Sequence, residues 1–357
     1  MSTLRVLPVS LALLLAVTAC EQPVVAWVDP EAEATPLPSP LVFPPSVAPD
    51  STLVATSAYA DFLLTQDLLR EVGGAALLSP AIDAMPEARE SVASAATLPP
   101  VATGPAPRTA LGDGALPDDP QRCARSVRVA EAGARGAVAV WWHRADGGRV
   151  HLAAAWRDGV AAPAEAAMAE AAMAEAAMGD TSGRGAWRGP ILIDTLDQGP
   201  GDAQAADRGA HGCARPAPSV AVDRTNGYVH VAYALTGPEG PGVFYAHQMD
   251  PRSAFEPPVA IIYGERLGVA RLAVDGDAVA VVYEDPNSGA GRRRIGLAVS
   301  RTAGHLFENR LTASSATADA RDPHVVVRGR AVVVGWSEIA DGTADPVFRQ
   351  RRARFLR

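Results

Sequence analysis

The feature that most constrains this chain is a short pattern that recurs through its C-terminal two thirds. Four apolar runs each end on an aromatic residue: GAVAVWW (136–142), YVHVAY (228–233), AVAVVY (278–283) and AVVVGW (331–336). Their closing aromatics, Trp142, Tyr233, Tyr283 and Trp336, stand 91, 50 and 53 residues apart. Valine-rich runs bounded by turn residues favour strands, because β-branched side chains pack well on a pleated surface. The same order surrounds each run. One strand precedes it (SVRV, SVAV, RLAV or HVVV), and another follows a turn (VHLAAAW, VFYAHQM, RIGLAVS or PVFRQRR). The first three units add a fourth segment: GPILID, PPVAII or NRLT. A unit of about 50 residues with four short antiparallel strands has the size of a propeller blade. The expected fold is therefore all-β, a β-propeller-like array of about four readable four-stranded blades over residues 122–357.

The long first interval contains an insertion. Residues 164–178 are three copies of Ala-Glu-Ala-Ala-Met, all good helix formers. A period of five does not match 3.6, so no apolar seam forms. The segment reads either as a protruding contact helix or as a repeat expansion in a tolerant loop. Its place between the third and fourth strands of the first unit favours the loop.

The N-terminal part has another character. Arg5 precedes an apolar stretch from Val6 to Val17, which leads into Val17-Thr18-Ala19-Cys20. The stretch is too short to span a bilayer and has the layout of an export signal. It resembles a bacterial lipoprotein signal with its lipobox. That resemblance implies removal of residues 1–19, acylation of Cys20, and attachment to the cell envelope. Glu21 at the second mature position implies the outer membrane of a Gram-negative host. Residues 20–121 read as a Pro/Ala-rich tether, with 16 of the chain's 30 prolines between 21 and 120. A helix over 58–72 is expected inside it, with Ser57 as cap, Leu64, Leu68 and Val72 on one face, and Gly73-Gly74 as stop. The last unit reads as one strand short at Arg357. Leu98–Thr103 (LPPVAT) echoes the fourth strand of unit two (EPPVAI), so it is expected to pair with the final unit and close the ring, the alternative being that it stays disordered.

Composition narrows function more than it defines it. With 48% hydrophobic residues the chain can bury a core, and its formal net charge of −8 gives no general affinity for nucleic acid. All 32 basic residues are arginine, so arginine abundance alone says little. Arg292-Arg293-Arg294 and the tail from Arg349 to Arg357 read as guards of exposed strand edges rather than polyanion sites. If Cys20 carries lipid, Cys123 and Cys213 remain as one pair. Both stand in Cys-Ala-Arg, at equivalent places in neighbouring units, and an exported compartment permits a disulfide. No Cys-x-x-Cys, His-x-His or His-Glu-x-x-His spacing occurs, so no metal site is expected. No phosphate-cradling glycine loop or Gly-x-Ser-x-Gly elbow is present either, and no cofactor is expected.

The repeats resemble the sialidase-like propellers, whose blades carry Asp-box turns between their third and fourth strands. Unit three offers Ser300-Arg301-Thr302-Ala303-Gly304-His305-Leu306-Phe307, with Thr302 in place of the aspartate. Unit two offers only Met249–Phe255. An arginine also precedes the first strand of every unit: Arg125, Arg215, Arg266 and Arg321. The resemblance implies that these converge near the axis and grip a substrate carboxylate, which a guanidinium fork fits well. The alternative is pairing with local acids such as Asp319, Asp322 or Glu265, and the number of arginines favours it. The loops after the closing aromatics carry His143, Arg144 and Asp146, then Glu284 and Asp285, then Ser337 and Glu338. Glu284, Asp285 and Glu338 are weak candidates for glycosidase acids. The family's Phe-Arg-Ile-Pro motif is absent, and no Tyr–Glu pair can be assigned. The leading reading is a lipid-anchored extracytoplasmic binding module, non-catalytic, for a carbohydrate or an envelope protein. A divergent sialidase-like hydrolase of an acidic sugar and an envelope scaffold stay as alternatives.

Overall fold

A computed structural model describes residues 24–29, 32–36, 116–131, 136–158, 187–199, 212–250, 253–288, 292–339 and 346–356. The signal segment, Cys20, the 58–72 helix, Leu98–Thr103 and the 164–178 repeat lie outside these residues.

Each unit folds as one antiparallel sheet, with its strands paired in chain order. The first holds β3 (Arg128–Glu131), β4 (Gly136–Arg144), β5 (Val150–Asp158) and β6 (Trp187–Asp194). In the second are β7 (Ser219–Val222), β8 (Val229–Gly237), β9 (Gly240–Gln248) and β10 (Val259–Tyr263). The third consists of β11 (Ala270–Asp275), β12 (Ala278–Glu284), β13 (Ile295–Ser300) and β14 (Asn309–Thr312). The fourth has β15 (Asp319–Arg328), β16 (Ala331–Ile339) and β17 (Val347–Phe355), joined by β1 (Val25–Trp27) and β2 (Glu33–Pro36). Successive sheets touch through their first strands, β3 on β7, β7 on β11 and β11 on β15, which is the blade order of a propeller.

The second strands are buried on both faces, and alternation sends their side chains to two different cores. In β12, Val279, Val281 and Tyr283 face the second sheet's Tyr245 and Ile261. Ala280 and Val282 face the fourth sheet's Val325, Val334 and Trp336. Between the first two sheets, Trp142 meets Tyr233 edge-on at 6.0 Å.

That contact corrects the repeat. Tyr233, Tyr283 and Trp336 each point back to the preceding sheet, whereas Trp142 points forward to the next. The structural counterpart in unit one is Trp141, on the opposite face among Ala137, Ala139 and Trp187. A one-residue slip exchanges faces in a strand, and an adjacent Trp-Trp pair hides that slip.

The fourth sheet takes its outer strands from the N-terminal part of the chain, from β1 and β2, while Leu98–Thr103 lies outside the described residues. Val25–Trp27 pairs with 353–355, and Glu33–Pro36 with 347–350, so the outer edge of β17 is already taken. The Val24 and Val25 N–H groups both donate to Asn309 Oδ1 of the third sheet, at 2.7 and 3.3 Å. Both valines are buried in the core between the last two sheets. The folded part thus reaches back into the segment read as tether. The tail arginines do not guard an open edge either. Arg351 lies 4.2 Å over the Trp27 ring, and Arg352 pairs with Asp29 at 2.7 Å, so they hold the borrowed strand.

The degenerate Asp box still forms its turn between β13 and β14. Ser300 Oγ accepts from the Thr302 and Gly304 N–H groups, both at 3.1 Å, and Thr302 Oγ1 accepts from Leu306 N–H at 3.0 Å. Hydroxyls do the work of the missing carboxylate. Phe307 then packs edge-on against Tyr245 of the preceding sheet, 4.9 Å between centroids.

Candidate functional site

The up-and-down course of each sheet fixes where its loops go. Segments leading into the first strands and the turns after the second strands lie on one rim. Arg125, Arg215, Arg266, Arg321, Glu284, Asp285 and Glu338 all belong to this upper rim. The four arginines divide between two junctions, Arg125 and Arg215 beside the first and second sheets, Arg266 and Arg321 beside the third and fourth.

At the junction of the first two sheets, the Cys123–Cys213 disulfide joins the two Cys-Ala-Arg segments, with Cα atoms 5.2 Å apart. Arg125 is exposed in the three-residue turn Ala124–Ser126. Arg215 is fully buried and bonds Asp197 Oδ1 at 2.5 Å. Asp197 also accepts from the Val150 and Thr236 N–H groups, at 2.8 and 3.3 Å. Such a carboxylate, desolvated and saturated, is a fastening between sheets rather than a reagent.

The junction of the third and fourth sheets holds the other two arginines. Arg266 donates to Ser288 Oγ at 2.6 Å, and Arg321 to Asp319 Oδ2 at 2.6 and 2.9 Å. Burial alone would raise the Asp319 carboxyl. Hydrogen bonds from Arg321 and the Arg293 N–H outweigh it, so the pKa falls below the usual range. Glu284 is buried and receives Arg293 Nη1 at 2.6 Å, with the Val269 and Asp322 N–H groups at 3.4 and 3.3 Å. Asp285 accepts from its own turn, the Asn287 N–H, at 2.9 Å. Glu338 is buried between Trp336 Nε1 at 3.0 Å and Arg349 Nε at 3.2 Å. The Glu265 N–H donates to the Pro286 carbonyl at 3.1 Å, and Ser337 sits in β16 opposite Phe348.

A concavity lies over the β4–β5 turn of the first sheet. It encloses about 420 Å³ and is lined by Gln121, His143, Arg144, Ala145, Asp146, Arg149, His151 and Leu192. Behind it the buried Asp119 accepts from Trp141 Nε1 at 2.8 Å and Gln121 N–H at 3.0 Å, and meets His143 Nδ1 at 3.1 Å. Burial raises the Asp119 carboxyl, but these bonds together bring it below its ordinary value. His151 lies 6.3 Å from His143, ring to ring. Burial, then the nearby His143 and Arg149, push His151 below its usual pKa, which keeps it neutral at pH 7. Its Nδ1 is buried without a hydrogen-bond partner. His143, Arg144 and Asp146 were legible as loop residues. Arg149 closes the same turn but no pattern singled it out, and His151 reaches the groove only through the pairing of β5 with β4, opposite His143.

Among the described residues, no group of three His, Cys, Asp or Glu is placed to hold a metal ion, and no helix is long and apolar enough to cross a membrane.

No protein-family model and no curated protein matches the sequence. Among solved structures, the chain is similar to the Hadza microbial sialidase Hz136: 11% identity over 60% of this chain and 44% of that one, TM-score 0.35. It is also similar to the α-L-arabinanase of Penicillium chrysogenum, with 11% identity, 65% and 62% coverage, and TM-score 0.40. A third is Zg3597, a family 117 glycoside hydrolase of Zobellia galactanivorans, with 14% identity, 67% and 64% coverage, and TM-score 0.30. The chain thus spans less than two thirds of the length of these proteins.

Proposed function

We propose that this protein is a non-catalytic, carbohydrate-binding module of the cell envelope, held to the membrane by lipid on Cys20. The observation that carries the non-catalytic part is the state of the rim carboxylates. Glycoside cleavage needs one carboxyl to give a proton and another to attack or activate water. Glu284 and Glu338 are each buried and ion-paired to an arginine of their own sheet. Both oxygens of each already accept hydrogen bonds, from Arg293 and the Asp322 N–H at Glu284 and from Trp336 and Arg349 at Glu338, so neither carboxyl is free to meet a glycosidic bond. Arg215 and Arg321 are likewise engaged, by Asp197 and Asp319, so two of the four arginines are not free to clamp a substrate.

The lipid anchor rests on the lipobox at Val17–Cys20. Metabolic labelling with a clickable palmitate analogue, read against Cys20→Ala, tests it: the label and membrane retention should both vanish in the variant. Retention of both would refute the anchor. The binding role is tested on a glycan array with the whole mature chain, since β1 and β2 belong to the fourth sheet, and hydrolysis is followed on the same glycans. Binding without turnover is expected. Turnover abolished by Glu284→Gln or Glu338→Gln in a folded variant would instead establish the hydrolase.

A further inference from the structure

We propose that the groove over the β4–β5 turn is the ligand site, and that it takes the carboxylate of an acidic sugar. The inference rests on the carbohydrate-binding reading above and assigns the ligand to the first sheet's own turn residues, Arg144 and Arg149, rather than to the blade-start arginines.

Three observations carry it. The first is charge. Arg144 and Arg149 are exposed at the groove and bond no carboxylate: Arg144 reaches only Cys213 Sγ at 3.6 Å, and Arg149 Nε only the Asp146 carbonyl at 3.0 Å. Arg215, Arg293, Arg321, Arg349 and Arg352 all have an acid partner. Asp146 lines the same groove, so the lining carries two guanidiniums against one carboxylate, a local positive excess in a chain with net charge −8. Their planar forks suit a carboxylate better than a neutral hydroxyl.

The second is preorganisation. Asp119 is almost fully buried and holds the His143 ring by Nδ1, while also holding Trp141 and the Gln121 backbone. That leaves His143 Nε2 as the ring's unbonded nitrogen, on a side chain that lines the groove. A buried acid that orients a half-exposed imidazole is the support a binding side chain needs if its rotamer is to be fixed before the ligand arrives. The third is unmet capacity. His151 is neutral, lines the same groove, and has Nδ1 buried without a partner. Buried polar atoms are usually satisfied, so His151 keeps hydrogen-bonding capacity on a ring that lines the groove. The exposed Leu192 side chain offers an apolar surface for a sugar ring, and a volume of about 420 Å³ lies within the ordinary range of small-ligand sites.

The test is calorimetric titration of the mature chain carrying Cys20→Ser, with trigalacturonate and neutral galactotriose as probes. Arg144→Gln/Arg149→Gln removes the two groove charges, and Arg125→Gln/Arg321→Gln serves as the comparison on the blade starts. Trigalacturonate should bind, and more weakly as salt rises from about 50 to about 300 mM. The groove variant should lose about tenfold or more in affinity, the loss expected for charged hydrogen bonds, with its melting temperature unchanged. The comparison variant should bind as the parent does. If the comparison variant loses binding and the groove variant keeps it, the site is misplaced and the carbohydrate-binding reading survives. Equal binding of galactotriose overturns the ligand class alone. If folded protein binds neither these probes nor any glycan on the array, both this inference and the reading beneath it fall.

Discussion

His230 should make this protein lose stability as the pH falls below about 6.5. The residue sits in β8 with no exposed surface, at the lower end of the seam between the second and third sheets. Its Nδ1 shares a 2.6 Å hydrogen bond with the Tyr245 hydroxyl, and its Nε2 is buried without a partner. His247 stacks on it at 6.2 Å, and His305, from the loop after β13, meets His247 edge-on at 4.6 Å. Burial is the main force on the imidazole. His247 and His305 add repulsion and Asp223 opposes them, leaving a pKa of about 3 against 6.5 for a free side chain. Protonating His230 therefore favours the unfolded chain. The stabilisation is complete above pH 6.5 and is lost as the pH falls from 6.5 towards 3. Each unit of that gap is worth about 1.4 kcal/mol, so the full interval approaches about 5 kcal/mol, of which about 3 falls between pH 6 and pH 4. His247 is also lowered, by burial and His305 against Glu256, and adds to the same slope. Urea unfolding at pH 7, 6, 5 and 4 should show a steeper decline for the parent than for His230→Gln, which can keep a bond to Tyr245 but does not titrate. Identical slopes for the two proteins would refute the assignment of the acid lability to His230.

Three other perturbations probe the architecture. Replacing both Cys123 and Cys213 by alanine opens a 90-residue separation and should cost about 4–5 kcal/mol in the chain-entropy description; thiol titration of the unfolded parent should find neither sulfur free. Gly304 has φ of 89°, and a Cβ there would overlap the Tyr245 hydroxyl, so Gly304→Ala should destabilise the domain by roughly 3 kcal/mol in denaturant titration, with Gly276→Ala, at φ 62° in open space, as the milder control. Deleting residues 24–36 should lower the melting temperature clearly by stripping β17 of its outer partners, whereas an unchanged melting temperature would show that the pairing contributes nothing.

What the sequence determined by itself was local. β-Branched runs between turn residues set the four units, and the strand readings SVAV and NRLT coincide with β7 and β14. The disulfide was also legible, because two cysteines in the same tripeptide of adjacent repeats must come close once the repeats stack. What needed the tertiary structure depended on contacts between distant segments. The face of Trp141 against Trp142 is a matter of register, which a doubled aromatic cannot report. The strands that complete the last blade are chosen by backbone hydrogen bonds, which leave no mark in composition, so the sequence alone does not single out the residues around Val24 and Val25. The rim arginines and acids were read as a set because they recur. Only folding showed that Arg215, Glu284 and Glu338 are spent on partners, while Arg144 and Arg149, which no repeat singles out, keep their charge unanswered. Pairing of charges depends on distance in space, and spacing along the chain does not encode it.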